Sequence, residues 1–193
     1  MRFQSSSLLF VVASLFAPAV GAQAQPRVID QSAPPADVTD APFTWAIGGG
    51  SSQILYQVVT AGIDGRLMEV RVPLACATGT LRLEIRDVDA VGLPGTSVLM
   101  ARAFAATRFP GPVTDEYRAL AVRPPLPLNA GDRFAITLSN GTGACGVWPS
   151  PTGDTYPGGQ GYALAAPNVV LVPLGLGTGR EDLPFETVVH PRR

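Results

Sequence analysis

Leu81-Arg82-Leu83-Glu84-Ile85-Arg86 is the stretch on which the fold turns. Apolar and charged residues interleave there without a fault. Successive side chains of an extended chain point to opposite sides, so two leucines and an isoleucine line one face and three charges line the other. A strand that is apolar on one side only belongs to an antiparallel sheet lying over a core. Toward the N-terminus the same period runs through Met68, Val70, Val72, Leu74 and Cys76, with Glu69 and Arg71 on the opposite parity. Toward the C-terminus Phe134, Ile136 and Leu138 alternate with Ala135, Thr137 and Ser139. Weaker strands are predicted over 54–60, 98–104, 117–122, 147–148, 161–165, 169–172 and 185–189. Between them lie turn signals such as Ile63-Asp64-Gly65, Gly92-Leu93-Pro94-Gly95, Asn129-Ala130-Gly131-Asp132 and Pro157-Gly158-Gly159. Many short strands at this spacing predict an all-β fold, an antiparallel β-sandwich of jelly-roll type.

Composition agrees and narrows the chemistry. The 193 residues include 21 glycines and 19 prolines, which interrupt helices and supply turns. All 14 basic residues are arginines, and the single histidine is His190. Lysine-dependent Schiff-base or P-loop chemistry is therefore excluded, and a histidine triad or multi-histidine metal site would have to be built around one imidazole near the C-terminus. The formal net charge is −1 with no basic block, which disfavours a nucleic-acid partner and an anionic membrane surface.

The N-terminus carries Arg2, a polar Ser run, an apolar run from Leu8 to Val20, and the small residues of Ala22-Gln23-Ala24. This is the pattern of a helical signal peptide over 1–24, cleaved after Ala24, and the apolar run is too short for a membrane span. The mature chain is expected to be secreted or periplasmic, with no transmembrane segment. Residues 25–42 hold Pro26, Pro34, Pro35 and Pro42 among polar residues and are predicted to be a flexible leader, so that 43–193 forms one β-sandwich domain. Cys76 and Cys145 are the two cysteines of the chain. In an oxidising compartment they are expected to pair, closing a loop of roughly 70 residues, since a Cys-x-x-Cys redox arrangement is missing.

Several matching pieces come in order along 53–189: Gln57-Val58-Val59 followed by Gly65-Arg66-Leu67; Leu81 to Arg86 leading into Gly92-Leu93-Pro94-Gly95 and Val98-Leu99; Pro127-Leu128-Asn129-Ala130-Gly131-Asp132 running into Phe134-Ala135-Ile136-Thr137-Leu138-Ser139; and the closing Asp182-Leu183-Pro184-Phe185-Glu186-Thr187. In this the chain resembles the carbohydrate-binding-like jelly-roll modules of secreted bacterial proteins. The resemblance implies a sandwich fold and an extracellular accessory role. It transfers no binding site.

Gly141-Thr142-Gly143-Ala144-Cys145-Gly146 has the letters of a dinucleotide fingerprint, but Pro149 and Pro151 forbid the helix that fingerprint must open, so these glycines are read as a tight turn. Asp87-Val88-Asp89-Ala90-Val91-Gly92 begins like a calcium loop. Val91 stands where a third oxygen ligand belongs, which excludes the EF-hand. Asp87 and Asp89 are retained as candidate ligands of a structural calcium, with Asp64 or Asp132 as further donors, against the simpler reading of an acidic turn. No other cofactor is expected. Asp115-Glu116 and Glu181-Asp182 are the candidate carboxylates for glycoside hydrolysis, and nothing in their spacing makes them face one another. Asn140-Gly141-Thr142 has the form of a glycosylation sequon, and His190 is read as a solvated tail residue.

Trp148, Tyr156 and Tyr162 fall in a segment dense with glycine and proline. On a loop they would form a flat aromatic platform for a sugar ring. Alternatively Trp148 packs in the core beside the cysteine pair. The expected function is a non-catalytic accessory module that binds a saccharide or another cell-surface ligand. The alternative is a structural or protein-interaction module of the envelope, using the long uncharged run 163–179.

Overall fold

The computed structural model describes residues 26–41, 43–165 and 170–192. The expected signal peptide, 1–24, lies outside them. The described chain is all-β: β1 (Val28–Ala33), β2 (Trp45–Gly48), β3 (Ile54–Thr60), β4 (Gly65–Val72), β5 (Leu74–Cys76), β6 (Thr80–Val88), β7 (Pro94–Ala105), β8 (Arg118–Leu128), β9 (Arg133–Ser139), β10 (Ala144–Val147), β11 (Gly161–Leu164), β12 (Val172–Pro173) and β13 (Phe185–Pro191), with three single-turn 3-10 helices between them. The strands form a four-stranded sheet in the order β1-β13-β4-β8, a six-stranded sheet in the order β12-β11-β3-β9-β6-β7, and a small sheet β2-β10-β5. Every strand pairing is antiparallel.

The two large sheets face each other across one core, as an antiparallel β-sandwich requires. Leu81, Leu83 and Ile85 of β6 point inward with Phe134, Ile136 and Leu138 of β9, and meet Leu67, Val70 and Val72 of β4, Leu120 and Val122 of β8, and Phe185 and Val189 of β13 in a single apolar cluster. The alternation in 81–86 is thus translated directly into burial. The small sheet carries the covalent tie: Cys145 stands directly opposite Cys76, and the two form a disulfide.

Three expectations are corrected. Residues 25–42 are not a loose leader throughout, because Val28–Ala33 pairs with β13 at the edge of the four-stranded sheet and Ala33 and Ala36 are buried. The Tyr117 hydroxyl donates to the Ala33 carbonyl at 2.8 Å, and the Trp148 indole N–H donates to the Ala36 carbonyl at 2.8 Å. These partners lie far away in sequence, so the polar composition of the segment gave no sign of them. Next, the parity through Met68 breaks. Leu67 and Val70 both point inward because Met68 is a bulge, set against the four residues Val122–Pro125 of β8. Pro124 and Pro125 lack the N–H a ladder needs, and such residues are tolerated because β8 is an edge strand. Finally, His190 is no solvated tail residue; it sits half-buried in β13, paired with Arg66 of β4.

Candidate functional site

The loop between β10 and β11 carried the expected aromatic platform, and its buried polar anchor shows why no such platform forms. Asp182 is fully buried and accepts hydrogen bonds from Gln57 Nε2 at 3.1 Å, Thr155 N at 2.9 Å, Thr155 Oγ1 at 3.2 Å and Tyr156 N at 3.0 Å. Gln57 Oε1 in turn accepts from Leu183 N at 2.8 Å, and Ser150 Oγ donates to the Asp182 carbonyl at 2.8 Å. Burial pushes the Asp182 carboxyl above its ordinary range even though four donated bonds favour the charged form. Through this network the loop is pinned to the core.

Tyr156 is consequently an internal residue. Its ring meets Phe185 edge-on, with centroids 5.0 Å apart, and its hydroxyl accepts from Thr60 N at 3.0 Å and donates to the Thr60 carbonyl at 3.1 Å. Gly159 then passes so close to the Val58 carbonyl that a Cβ would collide with it. Trp148 is half-buried and spends its N–H on Ala36. Of the three aromatic residues singled out in sequence, Tyr162 alone lies on the outside of a large sheet. The three do not form one platform, because Tyr156 is claimed by the core and Trp148 by the N-terminal segment.

The proposed cation ligands are also accounted for. Asp87 Oδ1 accepts from Ser97 N at 2.9 Å, while Asp89 Oδ1 accepts from Val91 N at 3.0 Å and Leu93 N at 2.8 Å. Asp64 accepts from Ala130 N, and Asp132 from Asn129 N, both at 2.7 Å. Asp89 and Asp132 cap their own turns, Asp87 ties the two strands of its hairpin, and Asp64 ties its turn to the 129–132 turn. Among the described residues no three His, Cys, Asp or Glu side chains converge to hold a metal ion. The sequon residue Asn140 is buried, with its amide donating to the Thr78 carbonyl and the Cys145 sulfur. Gly141–Gly146 runs into β10 rather than into a helix. Of the carboxylates considered for hydrolysis, Asp182 is sealed in the core, and Glu116 pairs with Arg118 at 3.3 Å.

Charge and aromatic surface do come together on the outer face of the six-stranded sheet. In register across it lie Tyr162 of β11, Tyr56 of β3, Thr137 of β9 and Glu84 of β6. Two steps along the same face, past the buried pair Val58 and Ala135, Thr60 of β3 pairs with Arg133 of β9. Arg82 and Arg86 flank Glu84 on its own strand, Arg82 Nε at 2.5 Å from one carboxylate oxygen and Arg86 Nη2 at 2.6 Å from the other. Burial raises the Glu84 carboxyl, but the two arginines outweigh it and hold the group below its ordinary range. Burial likewise pushes up both tyrosine hydroxyls. Arg86 opposes this at Tyr56, and Arg133 opposes it at Tyr162. Beneath these long side chains the Thr137 hydroxyl is buried with no hydrogen-bond partner.

What this surface can do is bind. Tyr56 and Tyr162 stand as cross-strand neighbours, Tyr56 buried and Tyr162 half-buried, and Arg86 spends Nη1 on the Gly95 carbonyl, so the groups that face outward are the Tyr162 ring and the half-exposed Arg82 guanidinium. Glu84, with both oxygens held by arginine, is neither a free base nor a proton donor. The alternation of 81–86 puts its three charges on the face away from the core, and that of 54–60 puts Tyr56 opposite in parity to Leu55, but neither run shows that Tyr56 and Glu84 share a row.

Because the Glu84 pKa is depressed on folding, its contribution to stability is present above about pH 4.5 and is lost as pH falls through the lowered value. Glu84→Gln is expected to cost about 1 kcal/mol at neutral pH, held to that size because Arg82 is half exposed, and to flatten the acid side of the stability profile. Urea midpoints measured from pH 2.5 to 7 check this; parallel profiles for the two proteins would contradict it.

No helix among the described residues is long and apolar enough to cross a membrane. Compared with known proteins, the chain matches no family model and no curated protein.

Proposed function

We propose that this protein is an exported, non-catalytic binding module that holds a saccharide on the outer face of its six-stranded sheet. The observation that carries the reading is the row Tyr162, Tyr56, Thr137 and Glu84, flanked by Arg82, Arg86 and Arg133. Sugar rings offer apolar C–H faces to aromatic rings and hydroxyls to charged hydrogen-bonding groups; over the buried Tyr56, Thr137 and Glu84, the half-buried Tyr162 ring offers the first kind of partner and the half-exposed Arg82 the second. Export is supported by the signal-peptide pattern of 1–24 and by a disulfide of the kind that persists in oxidising compartments.

The test is retention of the protein in gels containing neutral or uronate-bearing polysaccharides. Tyr162→Ala is expected to weaken retention about five- to tenfold, the size of a lost stacking contact, while Trp148→Ala leaves it unchanged because that indole is turned onto Ala36. Undiminished retention of the Tyr162→Ala protein would overturn the assignment of the face.

A second reading, a protein-interaction module of the envelope, is favoured by the edge of the same sheet. Val170 and Leu176 are 67% and 75% exposed on either side of the two-residue strand β12, while Leu174 between them is buried. Residues 166–169 of the candidate run lie outside the described residues. Retention by no polysaccharide, together with loss of a crosslinked envelope partner in Leu176→Ser, would favour this reading instead.

A further inference from the structure

The opposite outer surface, that of the four-stranded sheet, carries a second feature. Where Met68 bulges out of β4 and Val122–Pro125 swing away in β8, the ladder opens into a cleft of about 470 Å³. That volume lies within the range of small-molecule sites. Met68, Pro124 and Pro125 give it apolar walls, and Arg27, Glu69 and Arg123 supply its charge. Glu69 shares Arg71 with Glu186, Arg71 Nε lying 2.6 Å from the one carboxylate and Nη1 3.0 Å from the other, so that group carries one negative charge against the two positive charges of Arg27 and Arg123. Arg27 and Arg123 make no ion pair among the described residues. The uncompensated charge in the cleft is therefore cationic, in a protein whose net charge is −1.

The cationic character continues along the sheet. Two residues before Met68, Arg66 pairs in register with His190, and with Arg192 they line a smaller cleft of about 210 Å³. Arg66 and Arg192 also lack an ion pair among the described residues, and His190 Nε2 is buried without a hydrogen-bond partner. Four arginines without an ion pair close together repel one another. An anion would turn that repulsion into binding, and guanidinium groups match oxyanions with paired N–H donors.

We propose that the bulge cleft binds a small organic anion, its oxyanion held by the guanidinium groups of Arg27 and Arg123 and its apolar body laid on Met68, Pro124 and Pro125. The shared chemistry is an oxyanion on a compact hydrophobic group, whether carboxylate, sulfate ester or phosphate ester. This site stands apart from the tyrosine face on the other sheet and does not depend on it. The bulge is what makes room: a regular β4–β8 ladder would leave no opening between the strands.

Met68 offers a direct reporter. It and Met100 are the methionines beyond the initiator, and Met100 is buried in the core, so methyl-labelled methionine gives one signal in the cleft and one internal reference. Phenyl phosphate, benzoate and inorganic phosphate are the probes, with benzyl alcohol as the neutral comparison. Phenyl phosphate and benzoate are expected to shift the Met68 methyl saturably and leave Met100 in place, whereas benzyl alcohol does not shift it. Arg27→Gln and Arg123→Gln should each weaken binding about tenfold, as expected for loss of a charge-assisted hydrogen bond, and Tyr162→Ala should not alter it. Arg123→Lys, which keeps the charge and loses the fork, should recover only part of the affinity and serves should Arg123→Gln misfold. Inorganic phosphate binding as tightly as phenyl phosphate, equal response to benzyl alcohol, or binding unaffected in both arginine variants would overturn the proposal.

Discussion

Replacing Cys76 and Cys145 together by alanine is expected to lower the stability of the fold by about 4 kcal/mol. The bridge spans a sequence separation of 69, and in the chain-entropy model the cost of closing such a loop falls on the unfolded state while the bridge is present. The loss is large against the roughly 5–15 kcal/mol that separates most folded domains from their unfolded chains. Its location adds to its effect. The bridge joins β5 to β10 in a sheet whose strands are at most four residues long, so little besides side-chain packing and a few ladder bonds holds that end closed once the sulfurs part. The Asn140 amide, which donates to the Cys145 sulfur at 3.3 Å, also loses a partner. Urea unfolding of both proteins, with and without a thiol reductant, is the measurement. Reduction should bring the wild-type midpoint down close to that of the double variant and leave the variant where it is. Equal midpoints for oxidised and reduced wild type would show that the bridge contributes nothing to stability.

The second large effect is expected at Asp182. Asp182→Ala removes the acceptor for four donors, from Gln57, Thr155 and Tyr156, in a place closed to water, and a buried donor left alone costs about 1–3 kcal/mol. Local rearrangement lets some of these donors find other partners, so the net loss is expected to be about 3–5 kcal/mol, the size seen when one member of a buried charged network is removed. The damage should be regional as well as global. Residues 149–160 lose their anchor on Asp182 and, through it, on Gln57 of β3, keeping of their bonds to β3 only those of Tyr156, Gly158 and Gln160 to Thr60 and Val58, so amide hydrogen exchange in that loop should speed up more than exchange in β6 and β9. Gln57→Leu tests the same network from the other side, leaving the Asp182 charge with one donor fewer and Leu183 N with none. A loss below about 1 kcal/mol in Asp182→Ala, or uniform exchange across the molecule, would mean that the loop is held by its apolar contacts alone.

These expectations depend unequally on what could be read in advance. The inward set of 81–86 and 134–138 was legible because a strand's side-chain direction is fixed by backbone geometry residue by residue, and no partner is needed to know it. The cysteine pair was legible by count. The parity breaks at Met68 because a bulge is a property of paired strands: Met68 is the extra residue between the pairs Leu67–Val189 and Glu69–Val188, and β8 carries Val122–Pro125 opposite it, which shows only once the three strands are side by side. The strand Val28–Ala33 was missed for a similar reason, since its ladder with β13 and the bonds from Tyr117 and Trp148 come from the other end of the chain.

Among candidate functional residues the divide is the same. Tyr156 looked exposed because glycine and proline surround it, and composition cannot see that Asp182 draws the loop inward. The alternation of 54–60 sets Tyr56 opposite in parity to Leu55, but only register puts it in one row with Tyr162, Thr137 and Glu84. By itself the sequence determined that the chain forms a two-faced antiparallel sandwich, which segments build most of it though not β1 or β2, and that its cysteines tie it, because these follow from period and count within local stretches of chain. Tertiary structure decided which tyrosines and arginines stand side by side, which loop is anchored and where the ladder opens into a cleft, because each depends on register between strands distant in sequence, and a shift of one residue in that register moves a side chain to the opposite face.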